Sequence, residues 1–271
     1  MELEFWGVRG TAPASGRNYL KYGGHTPCLS VISSAGDVVI IDAGTGIKNL
    51  GEKLMAGPAA TDLRLHLLFT HFHLDHVSGL PFFSPLYSAR ATISFVSSLS
   101  PAETEKCLSG LMGGRYFPVA FKETASTKVF KKIGDEPMAI GSLTVRHLPL
   151  HHPQGSVAYR IEEGEMSLVM ATDTEPPDGQ TDERLASFAR QAGVFVYDAM
   201  FTPDEYLRRQ GWGHSTWLEG TKLARRAKVG RLILSHLNPD HSDRQVDEMV
   251  RLARREFRRT SAGREGLRLR I

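Results

Sequence analysis

The sequence predicts an α+β fold in which two β-sheets lie face to face with helices on the outside. Three observations support it. Apolar, strand-like runs fall into two groups, each accompanied by helical segments, which is the pattern of stacked sheets with outer helices. The chain has 271 residues, 41% of them hydrophobic, enough to bury a sizeable core within one domain spanning 1–271. No linker, repeat or low-complexity tract interrupts it, and no apolar stretch approaches the roughly 18 residues a membrane helix needs.

In chain order, Glu2–Val8 and Cys28–Ser33 read as strands separated by a glycine-rich loop. Val38–Ile41 forms a third, running into Asp42-Ala43-Gly44-Thr45-Gly46, where the glycines imply tight backbone geometry. A helix over Gly46–Ala56 precedes the apolar strand Leu63–Thr70, and Ala91–Val96 is a further strand. Pro101–Leu111 reads as a helix with proline in its first turn. The stretch Met112–Pro118 is irregular and placed to overhang a cleft.

Leu143–Leu148, Ser156–Ile161, Leu168–Ala171, Val194–Tyr197 and Leu232–Leu234 supply the second group of strands. Helices are predicted over Asp182–Gln191, Trp217–Ala227 and Asp243–Arg258. Ser242 and Gln245 form a capping box for the last of these, whose Val246, Met249, Val250, Ala253 and Phe257 make a core-facing stripe.

Chemistry concentrates in His71-Phe72-His73-Leu74-Asp75-His76, directly after a strand. Three histidines and an aspartate in six positions have little structural purpose, because burying them unpaired would cost several kcal/mol. If the chain stays extended through the turn, His71 and His73 project together onto one ion while Asp75 and His76 reach a neighbouring one. His152, Asp173 and His236 also follow strand-like runs, where further ligands belong.

These residues resemble the metallo-β-lactamase superfamily, whose signature is His-x-His-x-Asp-His. The chain looks most like the phosphodiesterase branch that includes ribonuclease Z and the phosphoribosyl cyclic phosphodiesterases. Other anchors, in order, are Phe5–Thr11, Asp42–Gly46, His151-His152-Pro153, Ala171–Thr174, Gly213–Thr216 and Ser235-His236. The resemblance sharpens the fold to a four-layer αββα sandwich of two mixed sheets, with the site at one sheet edge.

It further implies that His71, His73 and His152 hold one divalent cation, that Asp75, His76 and His236 hold a second, and that Asp173 bridges them. His151 competes with His152, and His152 is preferred. A nitrogen-and-carboxylate shell without cysteine suits zinc, with manganese or iron as substitutes. Two such cations would acidify a shared water and steady both oxygens of an in-line displacement at phosphorus.

By the same resemblance His214 is the candidate proton donor to the leaving group and Asp198 its acidic partner. Asp75 is expected to touch the nucleophile as well as metal, and Asp42 to support a loop or ligand by hydrogen bonding. Otherwise His214 would merely cap the helix at Trp217. Arg17, Asn18, Thr26 and Arg115 are candidate phosphate contacts, and His25 is expected to pack a loop.

The expected activity is hydrolysis of a cyclic nucleotide, a cyclic phosphate or a small nucleotide diester. An RNA 3′-end endonuclease and a thioesterase, lactonase or β-lactamase are the alternatives. A histidine acid in a Gly-His-Ser-Thr setting favours phosphorus over carbon. The ligand at His73 speaks against a flavodiiron oxygen reductase, and the full ligand set against a non-catalytic sensor. No long glycine-rich arm of the kind used on transfer RNA precursors is seen, so a small diester is favoured over RNA.

Net charge is +3, yet arginines crowd the carboxyl end. Without interleaved aromatics they read as a solvated helix face followed by a frayed tail rather than an RNA surface. Cys28 and Cys107 are too few for a disulfide framework and read as buried thiols. The start lacks a secretory pattern, so cytoplasmic residence is expected. A homodimer is compatible with the resemblance, though no self-complementary face stands out.

Overall fold

The computed structural model describes residues 1–56 and 63–271. The first half of the chain builds β1 (Glu2–Gly7), β2 (Cys28–Ile32), β3 (Val38–Ile41), α1 (Ile47–Ala56) and β4 (Leu63–Leu68). It continues with α2 (Leu74–Val77), β5 (Ala91–Ser97), α3 (Pro101–Leu111) and β6 (Thr127–Lys132). The second half adds β7 (Met138–Ile140), β8 (Leu143–Leu150), β9 (Ser156–Glu163), β10 (Met166–Ala171), α4 (Glu183–Phe188) and β11 (Val194–Asp198). Then come α5 (Pro203–Tyr206), α6 (Trp217–Ala227), β12 (Arg231–Ser235), α7 (Asp243–Glu256), β13 (Thr260–Ala262) and β14 (Arg268–Arg270).

One seven-stranded sheet has the order β14-β1-β2-β3-β4-β5-β6, the other β13-β12-β11-β10-β9-β8-β7. Both mix directions in the same way. In the first, pairings are antiparallel from β14 to β3 and parallel from β3 to β6. In the second they are antiparallel from β7 to β10 and parallel from β10 to β13.

Side-chain alternation shows how the layers stack. Along β3, Val39 and Ile41 enter a core shared with the second sheet, while Val38 and Ile40 face the opposite cluster under α1 and α3. Leu65 and Leu67 of β4 and Ile93 and Phe95 of β5 join that outer cluster, whereas Leu68 and Val96 turn inward. A strand buried on both faces must be apolar at nearly every position, which is why β3 reads as a continuous hydrophobic run, while β4 admits Arg64 and His66 and β5 admits Thr92 and Ser94. On the far side α6 and α7 lay Leu223, Ala224, Val246, Met249 and Val250 against the second sheet. The result is the helix–sheet–sheet–helix sandwich expected.

Three differences from the sequence reading have physical causes. The six-residue cluster does not stay extended: His73 is the N-cap of the single-turn α2, so Asp75 and His76 sit on a helix. The carboxyl-terminal segment is not frayed but forms edge strand β14, where Arg268 and Arg270 lie opposite Glu4 and Glu2 and pair with them at 3.0 and 3.2 Å. Opposite charges facing across neighbouring strands favour that register. Cys28 is buried, but Cys107 is only half-buried.

Candidate metal centre

Parallel strands leave their loops at one edge, and the chemistry collects there. Asp42 follows β3, the histidine cluster follows β4, Asp173 follows β10 and His236 follows β12, while Asp198 ends β11 and His152 follows β8. Non-glycine residues with left-handed backbones cluster at this edge: Thr11, Asp42, Asp173 and His236 have φ of 64°, 63°, 58° and 55°. Such conformations cost on the order of 1–3 kcal/mol each and persist where surrounding contacts over-determine them. The amide of Asp173 donates to Asp198 Oδ2 at 2.9 Å, and Ser156 Oγ donates to its carbonyl at 2.6 Å. Gly10 is required because a β-carbon there would come within 2.4 Å of His236 Nδ1.

Hydrogen bonds behind the histidines fix which nitrogen faces the centre. Asp42, fully buried, accepts from His76 Nδ1 at 2.8 Å, from the Thr70 amide at 2.8 Å and from the Thr70 hydroxyl at 2.9 Å. With its proton so committed, the Thr70 hydroxyl oxygen accepts from His71 Nδ1 at 3.1 Å. His152 Nδ1 donates to the Gly213 carbonyl at 2.9 Å, and His73 Nε2 to Gln154 Oε1 at 2.8 Å. The lone pairs left over are Nε2 of His71, His76 and His152 and Nδ1 of His73.

Those nitrogens lie close to one another and to carboxylates. His73 Nδ1 lies 3.2 Å from His152 Nε2, and His76 Nε2 lies 3.3 Å from His236 Nε2. Asp75 Oδ2 is 3.3 Å from both His76 Nε2 and His236 Nε2. Asp173 joins the groups, with Oδ1 at 3.3 Å from His236 and 3.9 Å from His71, and Oδ2 at 3.2 Å from His76. His71 Nε2 and Asp173 Oδ2 are buried with no hydrogen bond directed at them. Ring nitrogens facing one another and buried acceptors without a hydrogen bond are unfavourable by themselves and favourable around a cation, so these residues fit divalent metal.

Electrostatics divide the histidines. Burial, aided by the neighbouring His76, pushes His71 down to about 2, so it is neutral and ready to coordinate. Burial also disfavours charge on His236, but Asp173, Asp75 and Asp198 outweigh it and raise the ring to about 9. His76 moves well upward for the same reason, its carboxylates being Asp173, Asp75 and Asp42. Burial works against ionised Asp75, yet His76 and His236 hold its carboxyl well below the usual range. Without metal, the two rings therefore carry protons that a cation would displace.

His214 sits beside this cluster with Nδ1 3.2 Å from Asp198 Oδ2 and 3.8 Å from Asp173 Oδ1, its ring stacked on His236. It does not cap α6, a role taken by Thr216. Asp198 is fully buried and also accepts from the amides of Met200 and Ser215 at 3.0 and 3.1 Å. The loop carrying His214 is tied down by Glu175, which accepts from Tyr206 Oη and the amides of Gly211 and Gly213 at 2.9, 2.7 and 2.9 Å. The centre opens into a cleft of about 630 Å³ whose wall includes Thr11, Gln154, Phe201, Arg209, Trp212 and Asn238.

The sequence-predicted residues separate cleanly. His71, His73, Asp75, His76, His152, Asp173, Asp198, His214 and His236 are brought together. His151 is not; its ring is half-exposed and 3.9 Å from Asp182. Thr26 is wholly buried, its hydroxyl accepting from the Thr45 amide at 2.8 Å, which leaves no surface for a phosphate. Arg17 and Asn18 lie exposed on a short 3₁₀ turn, and Arg115 is exposed in the loop after α3; none of them lines the cleft. Residues 112–118 do not line the cleft, and Phe117 packs on Phe82 at 5.8 Å. His25 packs a loop as expected, its Nδ1 3.1 Å from Thr45 Oγ1.

Sequence reasoning missed Thr70, Gln154, Glu175 and Thr11, whose amide donates to Asp75 Oδ2 at 2.7 Å. None carries a local signal: they are single polar residues defined only by what the fold brings beside them.

A family model for the β-lactamase superfamily domain matches residues 38–237. Among curated relatives, ribonuclease Z of Shouchella clausii (strain KSM-K16) is 26% identical, covering 88% of this chain and 87% of its own. The crystal structure of the metallo-β-lactamase fold protein YhfI from Bacillus subtilis superposes with a TM-score of 0.74 at 19% identity, over 99% of this chain and 98% of that one. A diphosphatase from the PhnP family gives a TM-score of 0.70 at 16% identity, covering 100% and 97%. The fold and donor set define a metal-dependent hydrolase. The chain belongs to the β-lactamase superfamily.

Proposed function

We propose that this protein, taken as a single unit over 1–271, hydrolyses small phosphodiesters at a pair of divalent cations. His71 Nε2, His73 Nδ1 and His152 Nε2 would hold one ion, Asp75, His76 and His236 the other, and Asp173 would be shared. Zinc suits these donors best, with manganese or iron as substitutes. When bound, the cations would acidify a water and draw charge from the phosphoryl oxygens.

The protein's own residues do the rest. Asp42 and Thr70 hold His71 and His76 in the tautomers that turn lone pairs inward, and Gln154 and Gly213 do so for His73 and His152. Asp198 accepts a hydrogen bond from His214 Nδ1, leaving Nε2 to carry the proton delivered to the departing alkoxide. As the water oxygen bonds to phosphorus it gives up a proton to solvent, the ester P–O bond breaks, and the His214 proton neutralises the leaving oxygen. Asp75 lines the cleft, and its carboxylate would accept a hydrogen bond from the water.

The observation that carries the reading is the His214–Asp198 pair standing 3.8 Å from Asp173, since a proton donor at that position serves an alkoxide leaving phosphorus. A second reading, cleavage of RNA at a 3′ end, is favoured by relatives named ribonuclease Z. Cytoplasmic residence goes with either; no helix among the described residues is long and apolar enough to cross a membrane.

The test is a panel of bis(p-nitrophenyl) phosphate, a chromogenic β-lactam and a thioester, with chelator and with zinc restored. Zinc-dependent turnover of the diester is expected. Turnover confined to the other two substrates would overturn the proposal.

A further inference from the structure

We infer that the face opposite the metal centre holds a second, independent binding site for a compact polyphosphate. Strands β10 to β13 run parallel, so the edge that carries Asp198 and Ser235 has an opposite edge where Val194, Arg231 and Thr260 begin their strands. Five residues of strand put that edge about 17 Å away. It bounds a hollow of about 690 Å³ whose lining includes Arg231, Arg254, Arg258, Arg259 and Arg270 and no aspartate or glutamate side chain.

These arginines come from separate elements. Arg254 lies in the last turn of α7, where a cation favours the helix carbonyl end, and Arg258 and Arg259 follow it. That effect does not explain Arg231 on β12 or Arg270 on β14, which the fold delivers to the same place. Arg270 pairs with Glu2 at 3.2 Å. Arg254 Nε donates to the Thr260 carbonyl at 2.8 Å, its terminal nitrogens bonding to no carboxylate among the described residues, and Arg259 lies over the Phe257 ring. Among the described residues Arg231 and Arg258 pair with no carboxylate.

Guanidiniums gathered around one hollow repel unless an anion joins them, and their fork geometry matches phosphate oxygens. The volume falls in the range of small-ligand sites. No exposed aromatic lines the hollow to stack bases, so a phosphate chain fits better than an RNA strand.

Calorimetric titration of the zinc-loaded protein with tripolyphosphate tests this, excess magnesium keeping the probe from stripping zinc. One tripolyphosphate per chain is expected outside the cleft, weakened as salt rises. The double variant Arg231→Glu/Arg258→Glu should weaken it at least ~10-fold, with diester turnover unchanged. Lys106→Glu/Lys122→Glu, an equal charge change on the other sheet's side, should weaken it less than about 2-fold. ATP separates two sources of the same chemistry: tighter binding than tripolyphosphate assigns a nucleotide, equal binding the phosphate chain alone. Equal loss in both double variants, no binding at millimolar tripolyphosphate, or binding of oligouridylate alone would overturn the inference.

Discussion

Thr70 shows how much rests on one side chain. Its hydroxyl donates to Asp42 and accepts from His71, and its amide anchors the same carboxylate that orients His76. Thr70→Val keeps shape and removes that relay, so stability should fall by ~1–3 kcal/mol and zinc affinity by roughly 10–100-fold, read by chemical denaturation and zinc titration. His214 is different, because its Nδ1 is engaged by Asp198, although with Asp173, Asp198 and His236 it makes one of four groups among the described residues that could hold metal. His214→Ala should retain zinc and slow alkyl diesters by ~10²–10⁴-fold while sparing bis(p-nitrophenyl) phosphate, whose leaving group needs little protonation. Equal losses on both esters would argue against proton donation.

At the scale of elements, the loop from Gly211 to Thr216 is held by two carboxylates, Glu175 at Gly211 and Gly213 and Asp198 at Ser215. Glu175→Ala frees the amides of Gly211 and Gly213, and with them the carbonyl that orients His152. Diester turnover should drop roughly 10-fold with the fold intact by circular dichroism; unchanged turnover would show that the loop is held otherwise. Elements also explain what could be read in advance. β3 declares itself by an unbroken apolar run, and β4 and β5 by runs broken only at Arg64 and His66 and at Thr92, Ser94 and Ser97; the polar residues of the centre follow β3 and β4. β6, Thr127–Lys132, carries three lysines among its six residues and passes for loop. β7, β13 and β14 are three residues each and exist because a neighbouring strand offers partners. The backbone strain at Asp42, Asp173 and His236 was equally invisible, since any residue is sterically possible there until the fold imposes φ.

For the molecule as a whole, the metal-free centre sets a pH response. His71, lowered to about 2 from an ordinary 6.5, must be buried neutral, so it destabilises the fold as pH falls below 6.5. His236, raised to about 9, contributes stability that is full below 6.5 and lost as pH rises through 9. Together they give the zinc-free protein its greatest stability near pH 6.5 from these two groups, declining on both sides. Zinc competes with the His236 proton, so affinity should climb from pH 6.5 to 9. Thermal melts of chelator-treated protein and zinc titrations at pH 5, 6.5 and 9 check both trends; zinc affinity flat across that range would contradict the assignment of His236.

The most direct test is diester hydrolysis followed as zinc is returned stepwise to stripped protein. Activity toward bis(p-nitrophenyl) phosphate should rise until two equivalents per chain are bound, and Asp173→Ala should abolish it. Full activity at one equivalent, or none at saturation, would contradict a paired centre acting on phosphorus.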